Sequence, residues 1–329
     1  MQLAFPEDYK DRIKRMNTRL VDSLDVMEDR NLKAAMVHYP AVGGKRLRPL
    51  LASIVSEAVG GKAEMAIPFG LALEMIHNFT LVHDDVMDED DTRRGIPTVH
   101  AKYGIPMAIL AGDAMFARAF EMVIESELDD ARVVELVEIL ARSVRLLAEG
   151  QQMDMDFEKR KSVTADEYLK MIERKTAVLY SAAAQGGAVA GGGSEAQQEA
   201  LFEYGRLIGL GFQIWDDVLD LRSTQAAFGK PVLNDIRNGK KTLIVVKALD
   251  ELKGAKRTEF LAVLGKKDAT EKELVAAKEI LEEIGAIDHA ERVAAEFLAK
   301  GKDRLSVLKD SEHKEALKAF ADFMVARKT

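Results

Sequence analysis

Apolar residues recur at spacings of three and four along most of the chain, the period of helices with one buried face. In "PLLASIVSEAVGG", Leu50, Leu51, Ile54, Val55 and Ala58 share one side, Pro49 suits a first turn and Gly60 suits a stop. Thr164 with Glu167, and Ser194 with Gln197, have the spacing of capping boxes and mark two further helix starts. No proline falls between Pro106 and Pro231, so long helices are permitted there. Strand alternation is scarce. The best candidate, "TLIVV" at 242–246, reads equally well as buried helix. The pattern predicts an all-α protein with helices near 8–38, 49–59, 66–90, 107–127, 130–158, 165–190, 195–222 and 240–252, followed by amphipathic helices from about 255 onward.

Two of these helices carry acids in the same arrangement. In 66–90, His77, Thr80, Asp84 and Asp88 fall on one stripe, and Ile76, Phe79, Val82 and Val86 form a core stripe. Side chains four apart lie about 5–6 Å from one another, so Asp84 and Asp88 can share a divalent cation. In "YGRLIGLGFQIWDDVLDL" the polar stripe is Gly209, Gln213, Asp216 and Asp220, with Ile208, Phe212, Trp215 and Leu219 opposite. Apolar neighbours predict that these carboxylates are partly buried, and buried like charges need a cation or basic partners. A lone DDxxD on a helix is usually a solvated face. Two of them, each backed by a core stripe, suggest two half-sites for one ligand, and so a single domain over residues 1–329 with both helices walling one cavity.

Composition narrows the chemistry. With 47% hydrophobic and 31% charged residues the chain is an ordinary globular protein, and a net charge of −8 argues against nucleic acid as a partner. The absence of cysteine removes thiolate chemistry and fits a reducing compartment, hence an expected cytoplasmic location. The N-terminus does not read as a secretory signal. The most apolar long stretch, 177–193, falls short of a ~20-residue span, and no transmembrane segment is expected.

Mg2+ on such acids would complete its shell with phosphate oxygens, and matching cations are present. "GGKRLRP" sets Lys45, Arg46 and Arg48 before a helix start, where an anion is favoured. Arg93 and Arg94 follow the first acidic run. Lys175 lies in "ERKTAVLY", and Lys230 and Lys240 in "GKPVLNDIRNGKK". His77 could donate to an anion, whereas the other histidines have no metal-ligand spacing.

In their order and intervals, "GGKRLRP", "DDVMD" with "RRG", "GQQMD", "KT", "GFQIWDDVLD" and "GKPVLNDIRNGKKT" resemble the trans-isoprenyl diphosphate synthases of the polyprenyl synthase family, over about residues 40–245. The resemblance implies the isoprenoid synthase fold, an all-helical bundle around a deep central cavity. It also implies a homodimer and three Mg2+ ions per active site when diphosphate is bound. Asp84, Asp85 and Asp88 look like one metal site, Asp216 with Asp220 like a second, and Asp154 like an additional ligand. Gly44, Lys45, Arg48, His77 and Arg94 resemble the isopentenyl diphosphate pocket. Arg93, Lys175, Gln213, Lys230 and Lys240 resemble the allylic diphosphate pocket, with Thr176 and Gln213 facing the developing cation.

The implied reaction is a prenyl transfer. An allylic diphosphate (dimethylallyl, geranyl or farnesyl) ionises with Mg2+ assistance, and isopentenyl diphosphate adds head to tail. "DDVMD" without an insertion, with Phe79 five positions ahead and the small Thr80, is similar to the archaeal geranylgeranyl type; farnesyl or longer-chain synthesis is the alternative. Ideal periodicity nevertheless puts Phe79 on the core stripe and Thr80 nearer the acids. A terpene cyclase is disfavoured because "DDVLD" is not its second motif. An HD-type phosphohydrolase, suggested by His83 beside Asp84, leaves the Asp216 helix unexplained. A regulatory subunit without activity should have lost some of the acids.

Overall fold

The computed structural model describes residues 7–222 and 233–325. In chain order the helices are α1 (Glu7–Asp22), α2 (Arg30–Val37), α3 (Leu47–Ala58) and α4 (Ala63–Met87). A two-stranded ribbon follows, β1 (Thr92–Arg93) and β2 (Ile96–Pro97), and then α5 (Val99–Tyr103), α6 (Ile105–Ile124), α7 (Asp130–Lys159), α8 (Ala165–Ile172), α9 (Val178–Ala190) and α10 (Glu195–Arg222). The remainder is α11 (Asn234–Asn238), α12 (Leu243–Glu251), α13 (Gly254–Val263), α14 (Glu271–Glu283), α15 (Ala286–Arg304) and α16 (Glu312–Val325). The all-α expectation holds, with both capping boxes formed as read from the sequence.

Two expectations change, and one ambiguity is resolved. The single helix expected over 8–38 is two, because Asp29 caps a new start: its carboxylate accepts from the backbone N–H of Asn31 and Leu32 at 2.9 and 2.8 Å. The "TLIVV" segment lies in helix, as expected for 240–252, and that helix begins at the Thr242 cap. The helix expected over 165–190 is interrupted by a wide π-turn at Glu173–Ala177.

The chain forms two compact units. The first comprises the described residues within 7–144, 179–202 and 305–319. Its centre is α4 packed against α3 and α6, with Leu50, Leu51, Ile54, Phe69, Leu73, Ile76 and Val82 buried. Gly187 of α9 lets that helix lie directly on α3, since a Cβ there would meet Ala52 O at 2.4 Å. By length and composition α4 could cross a membrane, but 72% of the relevant window is buried inside the fold, as suits a core helix. The outer face of α6 instead exposes Ile105, Ile109, Phe116 and Ile124, which share one side of the helix.

The second unit comprises the described residues within 145–178, 203–222, 233–304 and 320–325. Phe157, Tyr168, Ile214, Leu221, Ile244, Phe260 and Leu281 belong to its core. Close backbone approaches set its register: a Cβ on Gly150 would meet Lys175 N at 2.4 Å, and one on Gly209 would meet Ala177 Cα at 2.7 Å. Gly209 thus seats α10 against the π-turn. At the end of α10, Arg222 bonds Asp288 and Glu291 at 2.6 and 3.0 Å, tying it to the start of α15.

Candidate active site

In the first unit α4 delivers the acids. Asp84 is half-buried and Asp88, its C-cap, is exposed one turn later, as their stripe predicts. Of the core stripe, Ile76 and Val82 are buried, but Phe79 and Val86 are only half-buried. Asp85 lies on neither stripe and is the most buried acid of the run, 1% exposed. Its Oδ1 accepts from Arg93 Nε at 2.7 Å and Nη2 at 2.6 Å, and its Oδ2 accepts from the Tyr39 hydroxyl. Burial, then the Asp85 hydrogen bond and charge, raise the Tyr39 phenol well above its ordinary pKa.

The "RRG" motif forms the ribbon's turn. Arg93 pairs with Ile96 across it, and Arg94 and Gly95 between them have φ of 51° and 77°. Positive φ at both central residues is the turn whose twist suits a two-residue hairpin, with glycine at the second position. The turn holds Arg93 against Asp85 and Arg94 beside Gly43, whose carbonyl accepts from it at 3.4 Å. Tyr39, Arg93 and Arg94 line one small pocket with Val42, Leu81 and Ile96.

The basic loop divides by role. Arg46 is structural: it is 2% exposed and donates to Glu74, Asn17 and the Pro40 carbonyl at 2.9, 2.7 and 2.8 Å. Gly44 and Lys45 are exposed. Arg48 stacks its guanidinium 4.9 Å from the Tyr180 ring centre, and its Nε is buried without a hydrogen-bond acceptor. His77 is half-buried at the surface yet hemmed in. Burial first, then the charges of Arg48, Arg94, Arg93 and Arg46, hold its imidazole well below the ordinary histidine pKa. A neutral imidazole under the charge of four guanidinium groups is a setting for an anion.

Phe79 and Thr80, the expected length-determining pair, separate. Phe79 packs edge-on to His83 and to Phe116 of α6, with ring centres 4.9 and 5.8 Å apart. Thr80 is buried and donates to the His77 carbonyl at 2.9 Å. His83 is absorbed in packing: its Nε2 lies 3.2 Å from Ile109 O, and its ring covers Gly112.

In the second unit the π-turn presents Lys175 and Thr176. Such bulges often mark functional sites because they turn side chains out of helical register. Lys175 Nζ meets Asp154 Oδ2 at 2.5 Å, and Lys240 Nζ meets the same oxygen at 3.0 Å and Glu158 at 2.6 Å. Burial favours the neutral acid at Asp154, but the two lysines outweigh it and hold the carboxyl below its usual range. On α10, Ile208, Phe212 and Leu219 are buried as expected, and Gln213, Asp216 and Asp220 are half-buried. Asp220 accepts from the Asp235 N–H at 3.1 Å at the start of α11. Lys230 lies outside the described residues.

The neighbouring Asp217 was not anticipated from the sequence. It is 9% exposed, with Oδ2 accepting from the Tyr168 hydroxyl at 2.5 Å and Oδ1 from Gln213 Nε2 at 2.9 Å. Gln213 Oε1 in turn accepts from the Thr176 hydroxyl at 2.8 Å. Burial pushes the Asp217 carboxyl well up, against the two hydrogen bonds, which favour its charged form.

Among the described residues, no three histidine, aspartate or glutamate side chains form a cage for an ion. Mg2+ is usually held by one or two carboxylates together with phosphate oxygens and water. Asp84 with Asp88, and Asp216 with Asp220, offer donors of that kind.

Comparison with known proteins gives a consistent picture. The sequence profile described as polyprenyl synthetase matches residues 29–284. A geranylgeranyl diphosphate synthase of Methanosarcina mazei is 43% identical over 99% of both chains. A short chain isoprenyl diphosphate synthase of Methanothermobacter thermautotrophicus is 46% identical over 94% of both. The crystal structure of geranylgeranyl pyrophosphate synthetase from Pyrococcus horikoshii superposes with a TM-score of 0.93 at 40% identity, covering 98% of each chain.

Proposed function

The chain belongs to the polyprenyl synthetase family and is a prenyltransferase, and from that premise we propose that it extends an allylic diphosphate with isopentenyl diphosphate to geranylgeranyl diphosphate. One observation carries the substrate assignment. Four guanidinium groups bear on the neutral His77, and one of them, Arg48, keeps a buried Nε without an acceptor. A diphosphate supplies that acceptor and offsets the positive charge, which supports Lys45, Arg48, His77 and Arg94 as the isopentenyl diphosphate pocket.

The allylic diphosphate is assigned to Arg93, Lys175, Lys240 and Lys230, with Mg2+ held by Asp84, Asp88, Asp216 and Asp220 and with Asp154 as an outer contact. Bound by these acids, Mg2+, proposed as three ions in the full complex, would neutralise charge on the diphosphate and make it a better leaving group. Lys175 and Lys240 already stand on Asp154, so they add fixed positive potential where negative charge grows. As the carbon–oxygen bond breaks, the cation forms beside the Thr176 hydroxyl and the Gln213 carbonyl, whose oxygens are the groups suited to face it. The terminal alkene carbon of isopentenyl diphosphate then bonds to the allylic C1. The resulting cation loses a proton to the departed diphosphate, the one strong base the reaction itself provides.

Product length follows from Phe79. Its ring closes on Phe116, which makes an aromatic floor one helix away from α4. The test is to incubate purified protein with Mg2+, labelled isopentenyl diphosphate and farnesyl diphosphate, and to size the products of wild type and Phe79→Ala. The C20 diphosphate from wild type and longer chains from the variant are expected. Cyclic hydrocarbon, or free phosphate without elongation, would refute the reaction; unchanged length in the variant would refute the floor.

A further inference from the structure

In both units the second aspartate of the acidic motif is withdrawn from solvent and bonded by protein donors on both oxygens. Asp85 takes Tyr39 on one oxygen and the Nε and Nη2 edge of Arg93 on the other. Asp217 takes Tyr168 on one oxygen and Gln213 Nε2 on the other. The tyrosines come from unrelated places, one before a short turn of helix at Pro40–Val42 and the other inside α8, and both are buried. A hydrated Mg2+ brings water and a demand for octahedral space, which a carboxylate 1% or 9% exposed and already bonded on both oxygens does not meet.

We infer that Asp85 and Asp217 are positioning residues, not metal ligands: each is locked by a buried tyrosine and aims one substrate-facing group, Arg93 in the first unit and Gln213 in the second. The inference rests on the assignment of those two groups to the allylic substrate. At Asp85 the side-on pairing occupies Nε and Nη2, so the guanidinium plane is fixed and Nη1 lies outside the pair. At Asp217, Oδ1 receives the NH2 end of the Gln213 amide at 2.9 Å. Only the NH2 can donate to it, so the carbonyl oxygen must turn to Thr176, as it does at 2.8 Å. Reversal of that amide would present NH2 protons to the cation and destabilise it. The Tyr39 and Tyr168 hydroxyls complete the second oxygen of each acid and keep it from rotating.

The test compares Asp85→Asn and Asp217→Asn with Asp84→Asn and Asp216→Asn. Mn2+ binding to the full-length protein with inorganic diphosphate is followed by electron paramagnetic resonance, and steady-state kinetics are run with Mg2+. In the first two variants, Mn2+ affinity should stay within about twofold of wild type, whereas loss of a true ligand should weaken it by roughly tenfold or more. Asp85→Asn should raise the KM for the allylic diphosphate by roughly tenfold, and Asp217→Asn should lower kcat by at least that factor with little change in KM. Tyr39→Phe and Tyr168→Phe, which keep the packing, should shift the same parameters in the same direction by a smaller factor. Mn2+ affinity falling in Asp85→Asn or Asp217→Asn as far as in Asp84→Asn or Asp216→Asn would overturn the inference, as would wild-type KM and kcat in the folded Tyr→Phe variants. The metal comparison does not depend on the product formed. A wild type that binds Mn2+ and diphosphate but makes no prenyl product would therefore refute the proposed reaction and leave the ligand question decided.

Discussion

His77 connects charge to stability most directly. Its folded pKa is depressed by burial and by four arginines, so the native state holds it neutral where the unfolded chain would protonate it near 6.5. Below that pH the unfolded state binds the extra proton, and stability falls with decreasing pH by at most about 1.4 kcal/mol per unit from this group, until the folded pKa is reached. The contribution is fully present above 6.5. In urea denaturation at pH 7.5 and pH 5.5, wild type should lose more stability than His77→Gln; equal losses would mean that the imidazole is not held neutral. Asp85, Asp217 and their tyrosines show where residue-level reading of a sequence stops. A residue next to Asp84 or Asp216 is rotated about 100° off the polar stripe, so periodicity assigns it no special task. The partners lie 46 and 49 residues away, a pairing that only the folded chain reveals.

At the scale of elements, the ribbon turn and the π-turn do the aiming. Arg94–Gly95 needs positive φ at both positions, and glycine supplies the second without strain. Gly95→Ala should cost about 1 kcal/mol in stability, although a Cβ there meets nothing within 4 Å, and it should raise the allylic KM through Arg93. Unchanged melting temperature and unchanged KM would remove the turn from the account. Much of this level was legible beforehand. The caps at Thr164 and Ser194, the helix 195–222 and the two acid stripes follow from local chemistry that tertiary contacts did not overrule. The break at Asp29 was also written in the sequence, as an N-cap, but the longer apolar period on both sides masked it. The short apolar run at 242–246 has too few residues for period to separate strand from helix, and its Thr242 cap decided the matter. The π-turn had no local signal, since Gly150 and Gly209 admit it from other parts of the second unit.

For the whole molecule, the face of α6 bearing Ile105, Ile109, Phe116 and Ile124 is the surface proposed to join two copies of the chain, by the rule that such exposed stripes mark interfaces. Sedimentation velocity should find a dimer for wild type and a monomer for Ile109→Glu; a wild-type monomer at micromolar concentration would refute the homodimer. One acid helix belongs to each unit, and both motifs are proposed to act on a single allylic diphosphate. The most direct measurement is a double-mutant cycle on Asp84→Asn and Asp216→Asn, reading kcat for elongation at saturating substrate. If the two motifs act on one leaving group, each single change should lower kcat by roughly 10²-fold or more, and the double variant should fall little below the worse single one. Losses that multiply independently in the double variant would contradict a shared diphosphate.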